Sequence, residues 1–545
     1  MKADDPNGNV FVFADFGKGV IKDQFHAIMV AEEKMTLRDD GLGGDSIPGD
    51  GVFTVALQED RLATEQLLEK TSESTNKALA AQPVFVGRER VDAQGQLKGM
   101  RPFDKDLFNK GGRVRIPFPT LCTPVSDVSI PHSIMVTDLG VVEDVDRTSQ
   151  PCTRPNGTGA WTFGKLMSDM ANEAASGVAP QDFVKNWLRQ WMEPQTVNSD
   201  AVPARTRIFT DVIRPWVIAS GAAPGSFDEN DWESKDLDLA KAPFKLTAIV
   251  NRLDLRGNTG YSVTNAGEGR FVFEVLSSTC SPTAFTVIFE YGIPINKCGT
   301  LVGYARKWYD LRTLTLGSPE YNTALQAITD VFAAANADPT KPNGSAINQI
   351  RTNEIALGSP WELREFHVDA TSHHLIQAPV VNEPAKKFNA RANPAGNAAD
   401  VTVLANWVNT VFPSNSTVPL TFNGAPFLGG KSHTEFNGIW NAAPGQITDP
   451  ANRHLFSLGT CSGCHGGETG TTFLHVGTPA FGTEAPLSRF LTGFTMNDPV
   501  SNTPHTFGDL ERRQQDLARL LCACTGRRLP DMVQVLTFKP INMPH

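Results

Sequence analysis

Cys461, Cys464 and His465, in the stretch "GTCSGCHGG", constrain this chain more than any other feature. Two thiols three positions apart share one turn of backbone, and an imidazole follows directly, so three reactive groups are held together by local geometry alone. Such a turn takes one of three forms. The thiols can add to the two vinyl groups of haem, with the histidine as axial ligand; they can ligate zinc or an iron–sulfur cluster together with Cys522 and Cys524; or they can pair as a disulfide beside a bystander histidine. At this composition the pattern is expected by chance about 0.002 times. Cys522 and Cys524 lie one residue apart on a predicted helix and point about 200° apart, which disfavours a shared metal. The haem form uses all three residues.

The flanking sequence carries the argument further. "DPANRHLFSLGT" predicts a short helix capped by Asp449 ahead of Pro450, and "FGDLERRQQDLARLLCA" predicts a later helix with Leu510, Leu517, Leu520 and Leu521 on one face. In this order of helix, CxxCH, loop and C-terminal helix, and in the "LFSLGTCSGCH" run-in with Phe456, residues 435–530 resemble the small c-type cytochrome domains. The resemblance covers under a fifth of the chain. It implies covalent haem c on Cys461 and Cys464, His465 as proximal iron ligand, attachment outside the cytoplasm and a redox partner protein. The loop before the last helix is shorter than in most such domains, which leaves the distal ligand between His475, in "TTFLHVG", and Met496, in "TGFTMNDP", with His505 behind them. His475 is slightly preferred because its neighbours read as an ordered segment. Ten residues of chain extend about 33 Å, enough to round a haem edge.

The remainder is large. A chain of 545 residues exceeds one core and predicts several domains, and 46 Gly with 37 Pro suit a loop-rich globular protein. A net charge of −10 with no basic stripe argues against nucleic acid as partner. No stretch approaches the roughly 20 apolar residues of a membrane span. "MKADDPNGNV" has no apolar signal core, so periplasmic or cell-surface placement rests on a signal peptide already removed. The even number of cysteines agrees with an oxidising compartment, and the spacing predicts disulfides Cys122–Cys152 and Cys280–Cys298.

The first hundred residues read as short strands. Between two of them "LRDDGLGGDSIPGDGVFT" resembles the Asp/Gly loop of bacterial extracellular immunoglobulin-like domains, and Asp39, Asp40, Asp45 and Asp50 are candidate calcium ligands, although such residues also make plain turns. Further on, helices are predicted over 162–175, 180–194, 319–337, 346–356 and 400–412, and strands in "FKLTAIVNRLDLRGN", "GRFVFEVLSS" and "AFTVIFEYGIP". Phe183, Trp187, Leu188 and Trp191 fall on one helical face and read as core. Arg252, Asp254 and Arg256 alternate with leucines and read as a salt-bridged strand face. His367, His373, His374 and His433 show no metal-binding spacing.

The fold expected is multidomain α+β: an immunoglobulin-like β-sandwich over 1–100, an α+β middle over 101–434, and a mostly helical cytochrome c-like domain over 435–545. The function expected is electron transfer through covalent haem by an exported protein. The alternatives are a haem-dependent oxidoreductase, and a haem-free structural or adhesion protein associating with itself or the cell surface.

Overall fold

The computed structural model describes residues 125–256, 266–295, 298–390, 398–412, 417–433 and 438–521, together with four earlier strands. Those strands, β1 (Val10–Asp15), β2 (Phe25–Val30), β3 (Glu33–Arg38) and β4 (Val52–Leu57), form one antiparallel sheet in the order β1-β4-β3-β2. Asp39, Asp40, Asp45 and Asp50 lie outside the described residues, as do Cys122, Cys522 and Cys524. The chain divides into two compact units, Met1–Thr123 with Thr525–Phe538, and Pro124–Cys524 with Lys539–His545. Among the described residues no helix is long and apolar enough to cross a membrane.

The larger unit is built on a seven-stranded antiparallel sheet. Its strands are β5 (Met135–Val136), β8 (Phe244–Arg252), β9 (Glu268–Leu276), β10 (Pro282–Gly292), β11 (Ile347–Glu354), β13 (Glu365–Val368) and β14 (Leu375–Ala378), in the order β14-β13-β11-β10-β9-β8-β5. Three small ladders stand apart from it. They pair β6 (Gln195–Val197) with β7 (Asp200–Val202), β12 (Glu362–Leu363) with β17 (Ser432–His433), and β15 (Thr421–Phe422) with β16 (Ala425–Pro426).

Alternation gives the central strands two unlike faces. Phe271, Phe273 and Phe289 turn to the helical side. There α1 (Phe163–Ala171), capped by Thr162 accepting from Lys165 N, lays Phe163 on Phe244 at 3.9 Å and 7°. Helix α2 (Pro180–Met192) adds Trp187 and Trp191, edge-on to one another at 5.1 Å and both against Phe366. Phe183 and Leu188 are buried with them, so the predicted stripe is core. Removing one such ring costs about 3–5 kcal/mol.

The opposite face carries charge. Arg270 pairs with Glu290 across β9 and β10, Arg351 of β11 pairs with both Glu290 and Glu365, and His367 contacts Glu365. All four members of the Arg270–Glu290–Arg351–Glu365 ladder are buried. This explains why 346–356, predicted helical, is the strand β11. Its Gln349, Arg351 and Asn353 share the charged face of the strand while Ile350 joins the aromatic side. Pairing on both edges overrides local propensity.

Two further expectations change. Cys152 bonds Cys280 across a sequence separation of 128, fastening the segment ahead of α1 to the β9–β10 turn, in place of the local pairs Cys122–Cys152 and Cys280–Cys298. Turn-rich sequence between cysteines marks short loops, but which cysteines meet is set by the sheet. The alternation of Arg252, Asp254 and Arg256 does not continue a strand either, because β8 ends at Arg252 and Leu253–Leu255 form a 3₁₀ turn. The three are buried and paired: Arg252 Nε with Asp254 at 3.0 Å, and Arg256 with Asp516.

Candidate functional site

The segment from 438 onward lies over the charged face of the sheet. Helix α6 (Pro450–Leu458) follows a further helix, α5 (Ala398–Thr410), and starts with Asp449 Oδ1 accepting from Ala451 N at 2.8 Å. It runs into α7 (Cys461–Cys464), a single turn whose N-cap Thr460 accepts from Gly463 N at 3.0 Å. Gly463 is required by close approach: a Cβ there would stand 1.9 Å from the Ser457 carbonyl oxygen. The first half of the motif therefore folds back onto α6.

Both thiols are unbonded to each other and fully buried. Cys461 packs with Trp361, Leu363 and Val380, and the charges of Arg351, Glu383, Glu365 and Glu290 act on it from the sheet below. Burial pushes both thiols well above their ordinary range, so they are protonated at neutral pH.

His465 is held by its Nδ1 against the carbonyl of Phe473, which also accepts from Asn353 Nδ2 at 2.7 Å. Trp361 covers it, 5.3 Å from His465 and stacked on Phe473 at 5.4 Å. His475 is brought to the motif: its Nε2 lies 3.5 Å from Cys464 Sγ, its ring 4.5 Å from that of His465, and its Nδ1 is fixed 2.9 Å from Ser488 Oγ. Phe490 closes that side at 5.0 Å. Burial lowers His465 to about 4 and holds His475 well below its ordinary range, the latter also opposed by His465, Arg513 and Arg252, so both rings are neutral. Neutral imidazole is the metal-ligating form, and anchoring at Nδ1 fixes the orientation of each ring.

The other sequence candidates lie elsewhere. Met496, on β18 (Phe494–Asn497), is half-buried and places its sulfur by Gly470. His505 stands on the paired strand β19 (Pro504–Phe507), stacked on His454. His373 Nδ1 lies 2.8 Å from Asn343 Oδ1, and His374 Nδ1 lies 2.7 Å from the Ser372 carbonyl.

Two parts of the site were not foreseen as such, although Arg252 and Asp254 already read as salt-bridged. Glu383, buried, accepts from Ser462 N at 3.1 Å, with Ser462 Oγ 2.5 Å from its other oxygen and 2.6 Å from the His433 carbonyl. Burial raises Glu383 to about 7 against the Ser462 bonds. A protonated Glu383 accounts for the arrangement, donating to Ser462 Oγ while that hydroxyl donates to His433. The second part is the Arg252–Asp254–Arg512–Asp509–Arg513 cluster. It joins the end of β8 to α9 (Asp509–Leu520), which follows the short helix α8 (Arg489–Thr492). Burial would raise Asp254, but Arg252, Arg512 and Arg513 together hold it well below the carboxylate range.

The donor types, two thiols and two neutral imidazoles in an aromatic shell, are those a covalent haem would use. The spacing is tighter than haem requires: two imidazoles bonded at roughly 2 Å to opposite faces of one iron put their ring centres about 6 Å apart, against 4.5 Å here. Were haem held there, the 466–475 segment would stand further from the CxxCH turn than it does in this closed arrangement. Compared with family models, with curated proteins and with solved structures, the chain matches none.

Proposed function

We propose that this chain is an exported electron-transfer protein carrying covalent haem c at Cys461 and Cys464, with His465 and His475 as the imidazoles that serve its iron. The observation that carries this reading is the convergence of His475, ten residues downstream, on the CxxCH turn, with both rings neutral and anchored at Nδ1. Haem at such a site supplies one-electron exchange at its iron. The chain's own residues do the rest. Trp361, Phe473 and Phe490 exclude water, Ser488 and the Phe473 carbonyl orient the rings, and Arg252 and Arg513 set a positive field at His475. Export agrees with the Cys152–Cys280 disulfide. The partner is a redox protein that exchanges single electrons.

The test is a pyridine haemochrome spectrum on protein from a host with haem-attachment machinery, with mass spectrometry of the 459–467 peptide. Absence of covalently retained haem overturns the proposal. The full packing of both thiols favours one second reading, a haem-free structural protein in which the motif is core. A colourless protein that is folded and carries both thiols free supports it.

A further inference from the structure

A second cluster of ligating side chains lies on the other side of α6, away from the thiols. His454 is buried on α6, seven residues ahead of Cys461. Its Nδ1 lies 2.8 Å from Glu468 Oε2 and 3.0 Å from Asp498 Oδ2, so a single N–H is shared between two carboxylates. The β18–β19 hairpin brings His505 over it, the rings parallel within 2° and 3.7 Å apart. Among the described residues, His454, Asp498 and His505 are the one group of three whose ligand atoms all lie within 4.8 Å of one another. Asp498 is fixed from outside, since its Oδ1 accepts from Val500 N and Ser501 N.

We propose that His454, Asp498 and His505 form a binding site for a first-row divalent cation of the zinc class, independent of the haem reading. Two imidazole nitrogens with one carboxylate oxygen suit borderline ions rather than calcium or magnesium, which take oxygen sets. The 3.0 Å between His454 Nδ1 and Asp498 Oδ2 is the separation of two ligands bonded at roughly 2 Å to one ion at near a right angle. The ion takes the place of the shared Nδ1 proton, and the ring stays neutral by carrying its proton on Nε2 instead. Glu468, held by Arg453, stands beside His454 Nδ1 as a further oxygen. The charges allow this: with neutral imidazoles, the Arg453 guanidinium faces two carboxylates, Glu468 and Asp498, leaving one negative charge for a dication to meet. Parallel stacked rings cannot both aim an in-plane nitrogen at one ion, so binding turns His505, which is half-exposed at the hairpin, out of the stack. Three protein ligands leave positions for water, the pattern of an open rather than a closed site.

The experiment is calorimetric titration of chelator-treated full-length protein with Zn²⁺, paired with absorption spectra of the Co²⁺ form. One equivalent is expected to bind, His505→Ala to weaken it at least about 100-fold with an unchanged circular dichroism spectrum, and the cobalt spectrum to show only weak ligand-field bands of nitrogen and oxygen ligands. No saturable uptake, uptake unchanged in His505→Ala, or intense thiolate charge-transfer bands placing the ion on the cysteines would each overturn the assignment.

Discussion

Glu383→Gln tests how the CxxCH turn is seated. In the folded protein Glu383 titrates at about 7 rather than 4.5, because burial penalises its charged form more than the Ser462 bonds favour it. An acid raised by folding binds its proton more tightly folded than unfolded. Its contribution is therefore fully favourable below about pH 4.5 and is lost as the pH climbs to 7. A separation of 2.5 between 7 and 4.5 corresponds to about 3.4 kcal/mol in all, of which about 2.5 kcal/mol falls between pH 5 and pH 8. Glutamine keeps an oxygen for Ser462 N and an amide hydrogen for Ser462 Oγ, the bonds the protonated acid makes, but it cannot ionise. The variant should be more stable than wild type by about 0.8 kcal/mol at pH 5 and by about 3.3 kcal/mol at pH 8, the gap widening by about 2.5 kcal/mol. Guanidinium unfolding of both proteins at four pH values across this range measures the gap. A gap that stays flat from pH 5 to pH 8 refutes the buried, titrating acid, whatever its size.

Peptide mapping under non-reducing conditions should recover Cys152 joined to Cys280, and replacing both by Ser should cost as much as about 5 kcal/mol, the closure entropy of a loop spanning 128 residues. Gly463→Ala should sharply reduce soluble yield, since its Cβ meets the Ser457 carbonyl at 1.9 Å and neither backbone can give way. In haem-loaded protein, His475→Ala should give a high-spin spectrum with new carbon monoxide binding, whereas Met496→Ala, altering a side chain by Gly470, should leave the spectrum nearly as it was. In haem-free folded protein, neither Cys461 nor Cys464 should react with a thiol reagent until denaturant is added, read by mass spectrometry of their shared peptide.

Local signals were legible where one neighbour decides them. Asp449 caps the helix it precedes, as its place ahead of Pro450 predicts, and the Trp187 and Trp191 stripe is core, because spacing of 3.6 residues alone sets which side chains share a face. What the sequence hides is set by distant partners. The polar residues of the predicted helix 346–356 give no hint of the strand partners Glu290 and Glu365, or of Phe473, that Gln349, Arg351 and Asn353 meet from other elements. Glu383 is one more acidic residue until Ser462, 79 positions later, closes on it. At the motif, the closeness of Cys461, Cys464 and His465 could be read from their spacing, and His475, which the structure brings beside them, was named from its neighbours. The covering Trp361 was not, because an isolated tryptophan says nothing about which ring it will shield.

The two-faced sheet carries a consequence for how errors of assembly are caught. A slip of β11 by one position against β10 would turn Arg351 and Asn353 toward Phe289 and Phe273, and Ile350 toward Glu290 and Glu365, leaving charges without partners among aromatic rings. In a sheet with two greasy faces the same slip would cost only imperfect packing. Here the ladder works as a proofreading device: a misregistered pairing strands buried charges without partners, a penalty that imperfect packing alone would not impose.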